Sequence, residues 1–426
     1  MAIIQFRKPG GHKSPVVNNR LQDDSDYDDP LLQYEETDEE NERRNSLDYD
    51  DTADRRRRKK LLRLLLIFVL IVIIAAGLFL MIRNRNYSSA VYTKVTNIDT
   101  LTSATYVNLG GSILTYSRDG AGCMDENGNK IWNLTYEMQQ PIISVNGDVA
   151  AIGDYNGSTI YIVNREKQLG TINTNMPIRN LCASSSGEVA AVLDDTDVTW
   201  VYLYDSEGST IAYFKTTMKQ SGYPIAVGVS PGGEIVGISF LQAGNSEISS
   251  SVAFYNFGAV GQNALENNVS GYNFDNEIFP YIYYMNEDTM IAVSDQRIAF
   301  FEGKEIPQNE STGLFQDTLV GVYCGSQYAA LLFPDTTGEE EYDLQIYNTE
   351  GTKVGDIRFS MDYTEIVVTD QRIIIHNDSK AIIASPTGEI KYEGIFENKV
   401  RIVVPTESTA RYTLVTETSI ERMILQ

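Results

Sequence analysis

Cysteine, histidine and tryptophan are scarce in this sequence of 426 residues, with three, two and two copies. The cysteines, Cys123, Cys182 and Cys324, stand far apart and are odd in number. This spacing excludes a disulfide framework or a zinc site and predicts small buried core residues. With only His12 and His376, the chain lacks material for histidine-based catalysis, and His376, at the end of a predicted strand, is expected to be structural.

Positive charge is also in short supply, because 34 basic residues face 58 acidic ones and the formal charge is −24. Residues 1–54 carry 6 basic and 15 acidic side chains, 55–63 carry 7 basic and none acidic, and 83–426 carry 21 and 43. The acidic excess of the C-terminal part argues against nucleic acid as a partner. It favours a soluble surface or a basic or cation-loaded partner.

The acidic N-terminal part, residues 1–54, has few apolar residues and no hydrophobic period, which predicts disorder. Three tyrosines in it, Tyr27, Tyr34 and Tyr49, are flanked by acidic residues. We interpret them as docking or phosphorylation motifs for a cytoplasmic partner. The alternative is a solvating tail without a specific partner.

Residues 64–82 form the one long apolar run, 19 residues without charge or a hydrogen-bonding side chain. As a helix this run would be about 28 Å long, close to the hydrocarbon thickness of a bilayer. The polybasic segment 55–63 precedes it, so the positive-inside rule predicts a cytoplasmic N-terminus and an extracytoplasmic C-terminal domain. The long leader indicates an uncleaved signal anchor of the cell membrane. A short linker, 83–90, follows.

The remaining residues, 91–426, contain short apolar strands separated by polar turns, and units of this kind repeat every 37 to 51 residues. Their 336 residues divide into eight units of 42, whereas seven units would need 48. We therefore predict an all-β fold, an eight-bladed β-propeller, with seven blades as the alternative. The C-terminal end supplies three strands after the last complete unit, and Val91–Ile98 is expected to complete that blade and close the ring.

One turn carries a more specific pattern, Asp125-x-x-Gly128-x-x-x-Trp132. It resembles the repeat of quinoprotein-type (PQQ-like) and WD40-like β-propellers, and the whole layout resembles single-pass membrane-anchored propeller proteins of Gram-positive bacteria. Quinoprotein dehydrogenases, which are similar propellers, hold their cofactor with a tryptophan floor, two adjacent cysteines and a calcium ion, and the resemblance would imply these features in a member that binds the quinone. Here the tryptophans are Trp132 and Trp200 and no cysteines are adjacent, so no cofactor is expected.

Two features are candidate sites. The acidic turn Asp194, Asp195 and Asp197 could chelate calcium through its carboxylates, although acidic surface turns without metal are common. Tyr272 and Phe274 follow a long irregular stretch, from which they could project to bind a peptide or glycan.

These observations favour a non-enzymatic envelope scaffold or receptor, anchored by a single span, whose propeller binds a protein or cell-wall ligand outside the membrane. The alternative is a degenerate quinoprotein-like or hydrolytic enzyme that acts at the top face of the propeller. We find no constellation of catalytic residues in the sequence that would assign an enzymatic reaction.

Overall fold

The computed structural model describes residues 59–75, 77, 85–98, 104–196, 198–217, 221–243 and 248–426. The chain divides into two units, Met1–Asn84 and Arg85–Gln426. In the first unit, residues 59–75 are helical and their apolar side chains from Leu61 to Ile74 are exposed. None of the helices within these ranges is both long and apolar enough to cross a membrane. The predicted tail lies outside the described residues, as do residues 76 and 78–82 of the predicted span.

The second unit is built from antiparallel strands in eight four-stranded sheets, counted over the described residues. The first strands of the sheets are β2 (Thr105–Leu109), β6 (Pro141–Asn146), β10 (Ile178–Ala183), β14 (Tyr223–Val229), β18 (Tyr281–Tyr284), β22 (Gly321–Cys324), β26 (Glu365–Val368) and β30 (Val400–Pro405). The second strands are β3 (Ser112–Tyr116), β7 (Val149–Asp154), β11 (Val189–Asp195), β15 (Ile235–Ala243), β19 (Thr289–Val293), β23 (Tyr328–Pro334), β27 (Ile373–His376) and β31 (Arg411–Thr416).

The outer half of each sheet completes the list. The third strands are β4 (Gly120–Met124), β8 (Thr159–Asn164), β12 (Val198–Tyr204), β16 (Ile248–Asn256), β20 (Arg297–Glu302), β24 (Tyr342–Asn348), β28 (Lys380–Ala384) and β32 (Ser419–Leu425). The fourth strands are β5 (Lys130–Thr135), β9 (Gln168–Asn173), β13 (Thr210–Thr216), β17 (Asn268–Asp275), β21 (Gln308–Leu314), β25 (Lys353–Phe359), β29 (Ile390–Ile395) and β1 (Ala90–Asn97). Two short 3-10 turns, Gly261–Asn263 and Leu265–Asn267, join β16 to β17.

This arrangement is an eight-bladed β-propeller, and the prediction of eight blades is confirmed. First strands of several neighbouring blades contact one another, as β10 does β6 and β14, so the first strands surround a central channel. The eighth sheet has the order β1-β32-β31-β30, with Ala90 opposite Leu425 and Asn97 opposite Ser419. The predicted closure by the N-terminal strand is therefore confirmed. It removes the unpaired edges that an open array of sheets would expose.

The hydrophobic core lies in layers between adjacent blades. One layer joins Ile235 and Phe254 of blade 4 to Met290 and Phe301 of blade 5, and the two phenylalanine rings are 5.1 Å apart. Second strands such as β23 are buried at five consecutive positions because a neighbouring blade covers each of their faces.

The Asp-x-x-Gly turns between third and fourth strands have a direct physical explanation. In blade 1, Asp125 Oδ1 accepts hydrogen bonds from the amides of Asn127 (2.9 Å) and Asn129 (2.8 Å). Gly128 has a φ of +83°, a left-handed conformation that favours glycine. Trp132 then donates its Nε1–H to Asn164 O of blade 2 at 2.9 Å, which ties the blades together.

Antiparallel strands place successive connections at opposite ends of each blade. We call one face proximal because it lies at the start of the propeller's chain, where Ala90 begins β1 beside Leu425. This face carries the turns between first and second strands and between third and fourth strands. The distal face carries the connections between blades and between second and third strands.

Candidate functional site

The distal mouth of the central channel is lined by the starts of the first strands and by the loops beside them. Two groups of side chains lie there. We call them the arginine cluster (Tyr155, Asn156, Arg179, Asp194 and Tyr223, on blades 2 to 4) and the tyrosine cluster (Tyr281, Tyr323, Tyr342 and Tyr363, on blades 5 to 7).

The arginine cluster is centred on one guanidinium. Arg179 Nε donates to Asp194 Oδ2 at 2.5 Å, and its Nη1 donates to Asn156 Oδ1. The Tyr155 ring lies under the guanidinium, 5.6 Å from ring centroid to Cζ, and the Tyr223 hydroxyl is 3.5 Å from Asp194 Oδ1. The bond to Asp194 raises the pKa of Arg179, and burial raises the pKa of Tyr223. The cluster is thus a guanidinium and a carboxylate, joined by a hydrogen bond, between two tyrosine side chains.

This arrangement bears on the predicted calcium site. Asp194 is engaged by Arg179 and also lies 3.2 Å from the Thr199 hydroxyl, which donates to it. Asp195 Oδ1 accepts from the Thr196 amide at 2.8 Å, and Asp197 lies outside the described residues. Within the described part of the chain, no group of three or more His, Cys, Asp or Glu side chains could hold a metal ion. The metal site stays a prediction.

The tyrosine cluster presents aromatic rings around the other side of the mouth. Tyr281 begins β18 and is 46% exposed. Tyr363, between β25 and β26, meets Tyr342 edge-on at 5.6 Å and Tyr323 edge-on at 6.5 Å. Burial and the neighbouring Tyr363 raise the pKa of Tyr323, so this hydroxyl stays protonated near neutral pH.

The chemistry available at the mouth is recognition by stacking and hydrogen bonding. Tyrosine rings offer large rigid contact area at low entropic cost, and protonated hydroxyls donate hydrogen bonds. Arg179, already held by Asp194, adds a positive charge whose position is fixed. Such a surface suits a peptide or a glycan.

Deeper in the channel lie two of the three cysteines. Cys182 on β10 and Cys324 on β22 are half-buried, while Cys123 is buried, so the expectation of buried core residues holds for Cys123 alone. The reason is that first strands face the channel on one side. Burial raises the pKa of Tyr283, which is 38% exposed, and the nearby Cys324 and Cys182 thiols raise it further. Burial raises the pKa of Cys182 and of Cys324, which keeps these thiols protonated and poorly nucleophilic.

The predicted ligand-binding aromatics Tyr272 and Phe274 lie on strand β17 rather than on a projecting loop. Both are half-buried against blade 5. The Tyr272 ring is 5.2 Å from Phe301 and its hydroxyl donates to Pro307 O at 3.3 Å. The Phe274 ring is 4.5 Å from Phe279. The irregular stretch ends at Asn267, because the alternating pattern that follows forms the outer strand of blade 4.

Other predicted residues are placed as follows. Tyr27, Tyr34 and Tyr49 lie outside the described residues. His376 is fully buried, with Nε2 3.2 Å from Glu365 Oε2 and Nδ1 3.1 Å from Asn377 O, as a structural histidine would be.

The tyrosines of the mouth were not predicted from the sequence. The signal was present in the run Tyr281-Ile-Tyr283-Tyr284, where exposure alternates along β18: Tyr281 and Tyr283 are exposed, while Ile282 is half-buried. Alternation of this kind marks a strand with one accessible face. The accessible face here is the channel wall.

Fold and mouth together define an eight-bladed β-propeller with a tyrosine-rich channel mouth. The chain belongs to DUF5711, a family of unknown function, whose profile matches residues 83–425.

Among solved structures, the chain is similar to the computationally designed Ika8 protein, with a TM-score of 0.51 at 9% identity over 78% of this chain and 99% of that one. This likeness concerns the fold alone. Apo AztD from Citrobacter koseri gives a TM-score of 0.48 at 11% identity, over 74% and 94% of the chains. BamB from Moraxella catarrhalis gives 0.44 at 13% identity, over 79% and 100%. No curated protein sequence matches significantly.

Proposed function

We propose that this protein is a non-enzymatic, membrane-anchored binding protein whose distal channel mouth holds a protein or cell-wall ligand. The observation that carries the proposal is the tyrosine cluster, partly exposed at a rigid rim. Binding sites on rigid scaffolds are usually built on connecting loops at one end, and tyrosine is enriched where proteins recognise ligands.

The charge distribution supports a ligand with basic groups. Residues 83–426 carry 22 more acidic than basic side chains, the difference between 43 and 21. The distal loop between β23 and β24 contains Asp335, Glu339, Glu340 and Glu341. An acidic surface attracts cationic segments over about a Debye length and raises their rate of association.

The anchor in this proposal is residues 64–82. Support comes from the exposed apolar side chains of the helical residues 59–75 and from the basic segment 55–63. In the proposed topology the N-terminal tail meets a cytoplasmic partner and the propeller lies outside the cell membrane. Protease added to intact cells should then digest an epitope tag at the C-terminus and spare one at the N-terminus. The opposite pattern, or a chain recovered without membranes, would refute the anchoring.

The binding site is tested by placing a photoreactive phenylalanine analogue at position 281 of the full chain in cells. Leu265, 87% exposed on the proximal face, is the matched control position. Irradiation should give a discrete adduct from position 281 and none from position 265. Equal adducts from the two positions, or none from 281, would show that the mouth is not the binding surface.

A further inference from the structure

Two turns of the propeller share the sequence Asp-Gln-Arg-Ile and the same backbone geometry. In the turn before β20, the Ser294 amide donates to Arg297 O at 2.9 Å, and Ser294 Oγ accepts from the Arg297 amide at 2.9 Å. In the turn before β27, Thr369 and Arg372 make the same two bonds at the same two distances. The turns lie on different faces: the first is distal and the second proximal.

The surroundings of the two arginines differ. Arg297 directs Nε and Nη2, which lie along one edge of the guanidinium, at the carboxylate of Glu277. Glu277 is 4% exposed, so this is a buried bidentate ion pair. The arginine is covered on another side by the Phe274 ring at 5.5 Å.

Arg372 is more deeply buried than Arg297, at 5% exposure, and it lacks the equivalent carboxylate. Its Nη1 donates to Gln371 O at 2.9 Å. Among the described residues, Nε and Nη2 make no hydrogen bond of normal geometry, although both atoms are buried. The nearest polar neighbour identified is the uncharged Tyr412 hydroxyl: burial raises the pKa of Tyr412, and the nearby Arg372 guanidinium lowers it. A buried charge without a partner is strongly unfavourable, so an unfilled bidentate edge indicates a group that the chain itself does not supply.

A second buried cation lies at the same proximal end of blade 7. Lys391 is 2% exposed, and its Nζ is 2.6 Å from Glu389 Oε2 and 3.2 Å from Asn86 Oδ1. The hydrogen bond from Lys391 lowers the pKa of Glu389, and the positive charge of Arg372 lowers it further, so both cations act on this carboxylate although only Lys391 contacts it. Two buried cations and one half-exposed carboxylate leave one positive charge uncompensated. Asn86 and Glu389 are accessible side chains that can move aside.

We propose that the Nε–Nη2 edge of Arg372, with Lys391 beside it, binds a phosphate group. A phosphate offers two oxygens to the guanidinium edge. The ammonium group can then meet a third oxygen of free phosphate, or share one of the two free oxygens of a lipid phosphodiester. The source is either a free phosphate or the headgroup of an anionic lipid. The lipid source rests on the anchoring in the proposed function, because Asn86 is only four residues beyond the predicted span 64–82.

The test uses the full chain in maltoside micelles and follows the melting temperature of the propeller. One arm adds sodium phosphate against sodium chloride of equal ionic strength. The other arm adds a short-chain phosphatidylglycerol against an uncharged short-chain glycolipid. At tenfold saturation, phosphate should raise the melting temperature by about 2 °C.

Matched variants locate the effect. Arg372→Gln should abolish the shift, and Arg372→Lys, which keeps the charge but loses the bidentate edge, should reduce it. Glu389→Gln should enlarge it, because a competing carboxylate is removed. Lys304→Gln, at an exposed cation on the same face, should leave the shift unchanged.

The two arms separate the sources and the hypotheses. A shift with phosphate alone assigns the site to a soluble phosphate, and a shift with phosphatidylglycerol assigns it to lipid. No shift in either arm would overturn the proposal. An equal shift in Arg372→Gln would also overturn it, because the phosphate would then bind elsewhere. Because the phosphate arm involves neither the distal mouth nor a membrane, it does not depend on whether the proposed function is right.

Discussion

The two homologous turns make a quantitative prediction, because methionine at each arginine should have opposite consequences. Arg297→Met leaves Glu277 buried without its partner. Removing one member of a buried ion pair costs about 3–5 kcal/mol, and we take the lower end, about 3 kcal/mol, because Arg297 is 29% exposed. Arg372→Met removes a charge that has no carboxylate partner. It should be neutral or stabilising when phosphate is absent.

The size of the effect can be converted to a melting temperature. The propeller unit, Arg85–Gln426, has an unfolding entropy of about 0.7 kcal/mol/K at roughly 2 cal/mol/K per residue. Arg297→Met should therefore lower the melting temperature by about 4 °C, and Arg372→Met should not lower it. Thermal unfolding of both variants in chloride buffer, followed by circular dichroism, decides the matter. Equal losses in the two variants would refute the contrast between the paired and the unpaired arginine.

Three further predictions concern separate features. Gly388→Ala should destabilise the propeller by at least about 2 kcal/mol in a denaturant titration, because φ is +89° and the new Cβ would lie 2.2 Å from a carbonyl oxygen of the neighbouring blade. The control Gly338→Ala, where φ is +75° and no atom lies within 4 Å of the new Cβ, should lower the free energy of unfolding by less. Hydrogen bonds from its own loop lower the pKa of Asp335 to about 2. The loop structure that this carboxylate stabilises should therefore be fully formed above its unfolded pKa, near 4, should persist at about pH 3, and should be lost as the pH falls through 2. Amide exchange of the loop would detect this, and loss of protection already at about pH 4 would contradict it. Because burial raises the pKa of Cys182 and of Cys324, both thiols should react with iodoacetamide at least about tenfold more slowly than an exposed thiol. Mass spectrometry of the alkylated protein measures these rates, and equal rates would show that the two thiols are not held protonated.

Much of the fold could be predicted because local sequence patterns determine its strands and turns. The repeating strands and turns defined the blades, and the three surplus strands at the C-terminus required the partner that β1 provides. The closure follows from a physical rule, since unpaired strand edges are unfavourable. No knowledge of distant contacts was needed.

The site was harder to predict because exposure depends on which face of a strand meets the channel. Tyr272 and Tyr281 both stand near polar loops in the sequence, yet Tyr272 packs against the next blade and Tyr281 opens into the mouth. Likewise the repeated Asp-Gln-Arg turns could be recognised from the sequence. The different partners of the two arginines could not be recognised from the sequence. Glu277 precedes Arg297 by 20 residues, and it is the loop between blades that brings the two side chains into contact.

The channel mouth as the binding surface is the central claim, and affinity measurements on the partner cross-linked through position 281 test it most directly. Interface hot spots are enriched in tyrosine, so Tyr281→Ala should weaken binding by at least about tenfold, or about 1.4 kcal/mol. Leu265→Ala, on the opposite face, should bind with unchanged affinity. An unchanged affinity in Tyr281→Ala, or an equal loss in the two variants, would contradict the account.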